Sequence, residues 1–115
     1  YFRRGAIVGH PEQAERYTIL RDAVASGGHD LVEPDDLGLA PVLSVHTADY
    51  VEFLRTAWDR RAELPNVTDE ILTTQFSRPQ MSRRPSGLQG LVGYHTADTS
   101  TPIRAGTWEA VRACA

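Results

Sequence analysis

An α/β fold class is predicted by three observations near the start of this 115-residue chain. The run from Gly5 to Val8, "GAIV", reads as a short buried strand. A helical pattern follows it, and "DLVEP" then offers a second short strand ended by Pro34. Strand, helix, strand is how an α/β arrangement opens.

The first helix is expected from about Pro11 to Ser26. Pro11 suits a first helical turn, and Glu12 and Glu15 suit the positive end of the helix dipole. Tyr17, Leu20 and Val24 recur at i, i+3 and i+7, and Gly27 and Gly28 stop the helix. After the turn-forming "DDLG", the stretch "PVLSVHTADYVEFLRTAWDRRAEL" carries the clearest amphipathic pattern. Val51, Leu54 and Trp58 share one face there, Tyr50, Phe53 and Ala57 widen it, and Glu52, Asp59, Arg60 and Arg61 lie away from it.

From about 65 to 93 the pattern gives way to prolines, glycines and arginines among serines. An irregular connection of that length is uncommon in a compact domain and usually shapes a site or a partner surface. A last helix is expected from Thr107, with the Thr107 hydroxyl as its cap and Glu109 in its first turn. It runs for only about two turns before the chain stops, too few for independent stability. The chain starts at Tyr1 rather than Met and ends without a helix stop signal, so both ends read as cuts in a longer domain.

Composition narrows the chemistry. The hydrophobic share is 41%, enough for a modest core, and the formal net charge is -3, which gives no electrostatic footprint for nucleic acid. No apolar run is long enough to span a bilayer, so a soluble, cytoplasmic protein is expected. Cys114 is the single cysteine, excluding an internal disulfide and fitting a reducing compartment. All 12 basic residues are arginine, which excludes a Schiff-base or phosphate-loop lysine from this chain.

Several residue pairs invite a catalytic reading, and each has a plainer one. His46 and Asp49, at i and i+3, would suit half of a metal site, but no second pair has matching spacing, so a packed histidine and a first-turn carboxylate are expected. His10 and Glu12 are acid/base types, yet at a helix start such residues more often cap and orient. Neither "LSVH" nor "MSRRPSG" sits in a strand-to-helix elbow that would expose a serine nucleophile. Arg78, Arg83 and Arg84 lack interleaved aromatics and suit a solvated loop or an oligomer contact better than a nucleic-acid surface. Arg16 borders an apolar face, and its stem is expected to be drawn inward.

Three separated segments, "HPEQAER", "VLSVHTADYVEFLRTAWDR" and "GLVGYHTADTSTPIRAGTWEAV", together resemble the start of the histone deacetylase family. The resemblance is to its bacterial branch of acetylpolyamine amidohydrolases and histone deacetylase-like amidohydrolases, in the family's order and at about its spacing. It implies the N-terminal part of an open, mostly parallel-sheet arginase/deacetylase-like fold, with residues 1–115 an incomplete piece and 65–93 a rim or interface loop. It implies an enzyme in which a zinc ion held by two aspartates and a histidine polarises an acetyl-amide carbonyl and activates water, tandem histidines move the protons, and a tyrosine stabilises the oxyanion.

None of those catalytic or metal-binding groups falls on the segments matched here, so the piece alone is expected to be inactive and to hold no metal. The expected substrate is an acetylated polyamine, another small acetylated amine or acetyl-lysine. Tyr94, His95 and Asp98 match the tunnel rim, within a loop from Gln89 to Asp98, and Arg16 matches an arginine lining an internal channel. The better-known deacetylases carry an aspartate near the position of His95. Gln89 and Ser100 are neutral where the polyamine branch carries glutamates. A homodimer contact through the arginine-bearing loop is also implied. The rival reading is a non-catalytic binding or dimerisation module.

Overall fold

The computed structural model describes residues 2–9, 13–77 and 83–114, with the side chains of Phe2 and Arg3 excepted. His10, Pro11 and Glu12, and with them the expected helix start and acid/base pair, lie outside the described residues, as does Arg78. The chain divides into two compact units, 1–35 and 36–115.

The first unit opens with a two-stranded antiparallel hairpin, β1 (Phe2–Arg3) against β2 (Ala6–Ile7), in which Phe2 faces Ile7 and Arg3 faces Ala6. Arg4 and Gly5 make the turn with φ of 50° and 84°, the positive pair that a tight two-residue hairpin loop requires. Helix α1 follows (Glu15–Ser26), with Glu15 in its first turn. Its end is set by Gly28, which takes φ 77°, the left-handed conformation glycine adopts without a Cβ clash.

Two strand expectations are corrected here. Ile7 is not in a buried strand but in the ribbon, 88% exposed. The stretch 30–34 forms no strand, because a strand exists through its neighbour's hydrogen bonds and none of the described residues supplies them. A parallel sheet is therefore absent from the described residues.

The second unit holds the core. Asp36 accepts the Gly38 backbone N–H at 2.8 Å, making the expected turn. The long amphipathic stretch then forms two helices, α2 (Ala40–Val45) and α3 (Ala48–Ala57). The break falls at His46 and Thr47, both extended, and the Thr47 hydroxyl accepts from the Tyr50 N–H at 3.3 Å as the cap of α3. Thr47→Ala is expected to lower stability by about 1 kcal/mol; an unchanged urea midpoint would show the cap to be idle.

Helix α3 buries Val51, Phe53 and Ala57, with Tyr50, Leu54 and Trp58 half-buried beside them. Phe53 and Ala57 rather than Leu54 and Trp58 thus mark the inner line of the predicted face. A 3-10 turn (Arg61–Glu63) leads out of it.

The stretch read as an irregular loop over 65–93 is only partly so. Ile71 exchanges both backbone hydrogen bonds with Ile103, at 2.8 and 3.1 Å, in an isolated antiparallel bridge. Leu88–His95 is a helix, α4, burying Leu88, Leu91, Val92 and Gly93. Two glycines weaken its helical signal, yet both sit at close approaches. A Cβ on Gly90 would lie 2.6 Å from the Pro85 ring, and one on Gly93 would lie 2.0 Å from the Gln75 carbonyl oxygen.

The start of α4 is served from a distance. Glu63 accepts the Leu88 N–H at 3.1 Å and pairs with Arg60, which also donates to the Ser86 carbonyl at 3.0 Å. The Arg60 guanidinium and the Leu88 N–H hold the Glu63 carboxyl below the usual carboxylate range.

The last helix, α5 (Thr107–Ala113), starts where expected, with Glu109 in its first turn. Its cap differs: the Thr107 hydroxyl accepts from the Arg104 N–H at 2.8 Å, and Gly106 occupies the cap position. Thr107 bonds backward because it is already the first helical residue. No helix among the described residues is long and apolar enough to cross a membrane.

Candidate functional site

Helix α4 places its buried residues at 88, 91 and 92, and the next position of that stripe is His95. The stripe therefore carries an imidazole into the apolar layer, where its side chain is 7% exposed. The ring stacks on Phe53 at 4.7 Å and leans on Tyr50 at 5.7 Å, both from α3. Tyr94, off the stripe and 39% exposed, meets the His95 ring edge-on at 4.9 Å.

Asp49 lies in the first turn of α3 and reaches this cluster. Its Oδ2 stands 3.4 Å from His95 Nε2 and accepts from Arg84 Nε at 2.9 Å. A second Arg84 nitrogen pairs with Oδ1. Nε2 of His95 is fully buried, and among the described residues it has no hydrogen-bond partner of acceptable geometry. Its separation from Asp49 is proximity without a formed bond.

Burial pushes the His95 pKa down, Asp49 opposes that, and Arg84 adds to it. The ring is accordingly neutral at pH 7. A histidine whose folded pKa is depressed contributes stability at pH above its unfolded value near 6.5, and that contribution is lost as pH falls below that value toward the folded pKa.

Of the residues matched to the tunnel rim, Tyr94 and His95 lie together at the end of α4. Asp98 lies just beyond, exposed, with Oδ1 accepting from the Ser100 N–H at 2.6 Å and the Thr101 hydroxyl at 3.5 Å. That Asx turn engages one carboxylate oxygen locally. Gln89 lines an open groove with Gln75, Phe76, Ser77, Pro85, Gly90 and Gly93. The segment Gln89–His95, expected as loop, is helical, which fixes the spacing of these side chains. Arg16 belongs to the first unit and is exposed on α1. His46 does not pair with Asp49 as a metal-type couple: its ring leans on Tyr50 at 5.2 Å while Asp49 turns to Arg84 and His95.

Among the described residues no three or more His, Cys, Asp or Glu side chains group closely enough to hold a metal ion. The donor set of a zinc centre is not furnished by the described residues.

No family model matches the chain. Its structure superposes on a crystal structure of acetylpolyamine aminohydrolase from Burkholderia pseudomallei with a TM-score of 0.85 and 34% identity, covering 97% of this chain and 32% of that one. The fold is thus that of the arginase/deacetylase class, in the part that these residues span.

Sequence relatives narrow the class. The chain is 39% identical over 92 residues to the acetylpolyamine amidohydrolase of Mycoplana ramosa, covering 80% of this chain and 27% of that protein. It is 35% identical over 104 residues to acetylpolyamine amidohydrolase 1 of Pseudomonas aeruginosa, covering 88% of this chain and 29% of that protein. The chain is homologous to the acetylpolyamine amidohydrolases, and it spans about a third of their length. The resemblance carried by the three segments was therefore to the right group.

Sequence reasoning missed the Asp49–Arg84–His95 cluster and the Glu63 brace. The stripe 88, 91, 92, 95 was a signal that α4 existed and that His95 faced inward. Nothing local marked Arg84 or Glu63 as partners, since each meets its contact across more than twenty residues.

Proposed function

We propose that this chain forms the N-terminal scaffold and substrate rim of a zinc-dependent deacetylase that hydrolyses the acetyl-amide bond of acetylated polyamines. The observation that carries the reading is the 0.85 TM-score at 34% identity to an acetylpolyamine aminohydrolase over 97% of the chain. In this reading zinc supplies carbonyl polarisation and water activation, on ligands that these residues do not provide.

The chain's own contribution is shape and contact. The half-exposed Tyr94 ring offers an aromatic face to an alkyl chain or ammonium group. Asp98 offers a carboxylate near it in sequence, and the net charge of -3 suits a cationic substrate. The homodimer, the cytoplasmic location and an internal-channel role for Arg16 belong to the same proposal.

The test is acetate release by the zinc-loaded full-length gene product from an N-acetylated diamine and from an acetyl-lysine peptide. The expected kcat/KM is at least about tenfold higher for the diamine, a difference of about 1.4 kcal/mol. The 115-residue chain alone, with added zinc, is expected to release none. Failure of the full-length protein on both substrates, or a preference for the peptide, would overturn the reading.

A further inference from the structure

The feature left unexplained by substrate chemistry is a buried imidazole beside an ion pair. His95 Nε2 has no hydrogen-bond partner among the described residues, yet it lies 3.4 Å from a carboxylate oxygen that Arg84 already occupies at 2.9 Å. Burying an unsatisfied polar atom carries a desolvation cost, so the arrangement holds an unmade bond in reserve. The charged groups facing the ring are Asp49 from α3 and Arg84 from the segment before α4, and its other described neighbours, Phe53, Tyr50 and Tyr94, are aromatic rings. One carboxylate thus stands between two potential cations.

The geometry points to a proton-operated latch: when His95 takes a proton from solvent, its N–H bonds to Asp49, the new imidazolium repels Arg84, and the Arg84 segment is released from α3. In the neutral state Asp49 serves Arg84 alone and ties residues 83–87, which lead into α4, to the first turn of α3. In the protonated state the same carboxylate is shared by two like charges a few ångströms apart. The weaker competitor is Arg84, because its side chain is 45% exposed and solvent recovers much of what it loses. The buried imidazolium has no such recourse. The direction in which burial and the two charged groups act on the ring supports this assignment: burial and Arg84 disfavour the charged form, and Asp49 favours it.

The latch lies next to Tyr94 and the rim segment, so its opening would alter access there, but it does not depend on what the rim binds. It is tested on the full-length protein with carbon-13-labelled histidine, His95 being assigned from its NMR contacts with the Phe53 ring and His95→Phe serving as the control. Phenylalanine keeps a ring against Phe53 and removes the titration. The His95 midpoint is expected below that of an ordinary histidine, lower still in Asp49→Asn and higher in Arg84→Gln. Amide exchange of Leu91, whose N–H donates to the Gly87 carbonyl at 3.0 Å where the segment enters α4, corrected for its intrinsic rate, is expected to quicken severalfold as pH falls through that midpoint, and not in His95→Phe.

Two opposite shifts in the Asn and Gln variants, together with the quickened Leu91 exchange at low pH, support the latch even if the Phe variant does not fold. A midpoint that neither variant moves would overturn it, as would an unchanged Leu91 exchange rate across that midpoint or the same acid response of Leu91 in His95→Phe.

Discussion

Gly93→Ala is expected to destabilise the second unit by about 3 kcal/mol or more, the upper end of what overpacking costs. The added Cβ would stand 2.0 Å from the Gln75 carbonyl oxygen and 3.1 Å from its carbon. Backbone cannot swing aside as a long side chain can, and this backbone is tied on both sides. The Ser77 N–H donates to the Gly93 carbonyl at 2.7 Å, and the Thr73 hydroxyl both accepts from the Gln75 N–H at 3.1 Å and donates to its carbonyl at 3.3 Å. Retreat by either segment breaks one of these bonds. Gly106→Ala is the comparison, since nothing lies within 4 Å of its Cβ position and only the helix cap changes, and its expected cost is about 1 kcal/mol or less. Urea unfolding followed by far-UV circular dichroism separates the two; equal midpoints would refute the steric account.

Phe53→Ala is expected to remove about 3–5 kcal/mol, the range for emptying a buried phenylalanine site. Phe53 is 2% exposed and is packed in one cluster with Ala57, Ile71, Leu88, Leu91, Val92 and Ile103. It also carries the His95 ring at 4.7 Å, so its loss opens the cavity toward a polar group. That is a large share of the stability a folded domain has, and the variant is expected to lose its cooperative transition. Phe53→Leu, which keeps most of the volume, is expected to retain one at a lower midpoint. If the alanine variant unfolded no earlier than the leucine variant, Phe53 would not be central to the core.

The sequence was most legible where a local pattern and tertiary burial agree. Helix α3 announced itself because its apolar residues recur on one face and that face does meet the core. The helix stop at Gly27 and Gly28, the Asp36 turn and the start of α5 were equally local and equally visible. Helix α4 was hidden because Gly90 and Gly93 read as loop formers, whereas the structure uses them for close approach to Pro85 and Gln75. Of the two anticipated strands one exists, as β2 in an exposed ribbon, and the other is an irregular stretch, since strand pairing is a property of neighbours rather than of the segment itself. At the candidate site, Tyr94, His95 and Asp98 were singled out through family resemblance alone. The inward direction of His95 and its shared carboxylate follow from how α4 crosses α3.

The Ile71–Ile103 bridge has a consequence for how sequences of this kind can vary. It closes a span of about thirty residues, and the entropy of closing a span rises only with the logarithm of its length. Eight further residues within the span would raise that cost by only about 0.2 kcal/mol. A single methyl group on Gly93 is expected to cost more than ten times as much. Chain closure therefore leaves length nearly free only where the span lies outside α4 and its crossing with residues 75–77, because Leu88, Leu91 and Val92 within the span are themselves core, while atomic shape at that crossing is fixed.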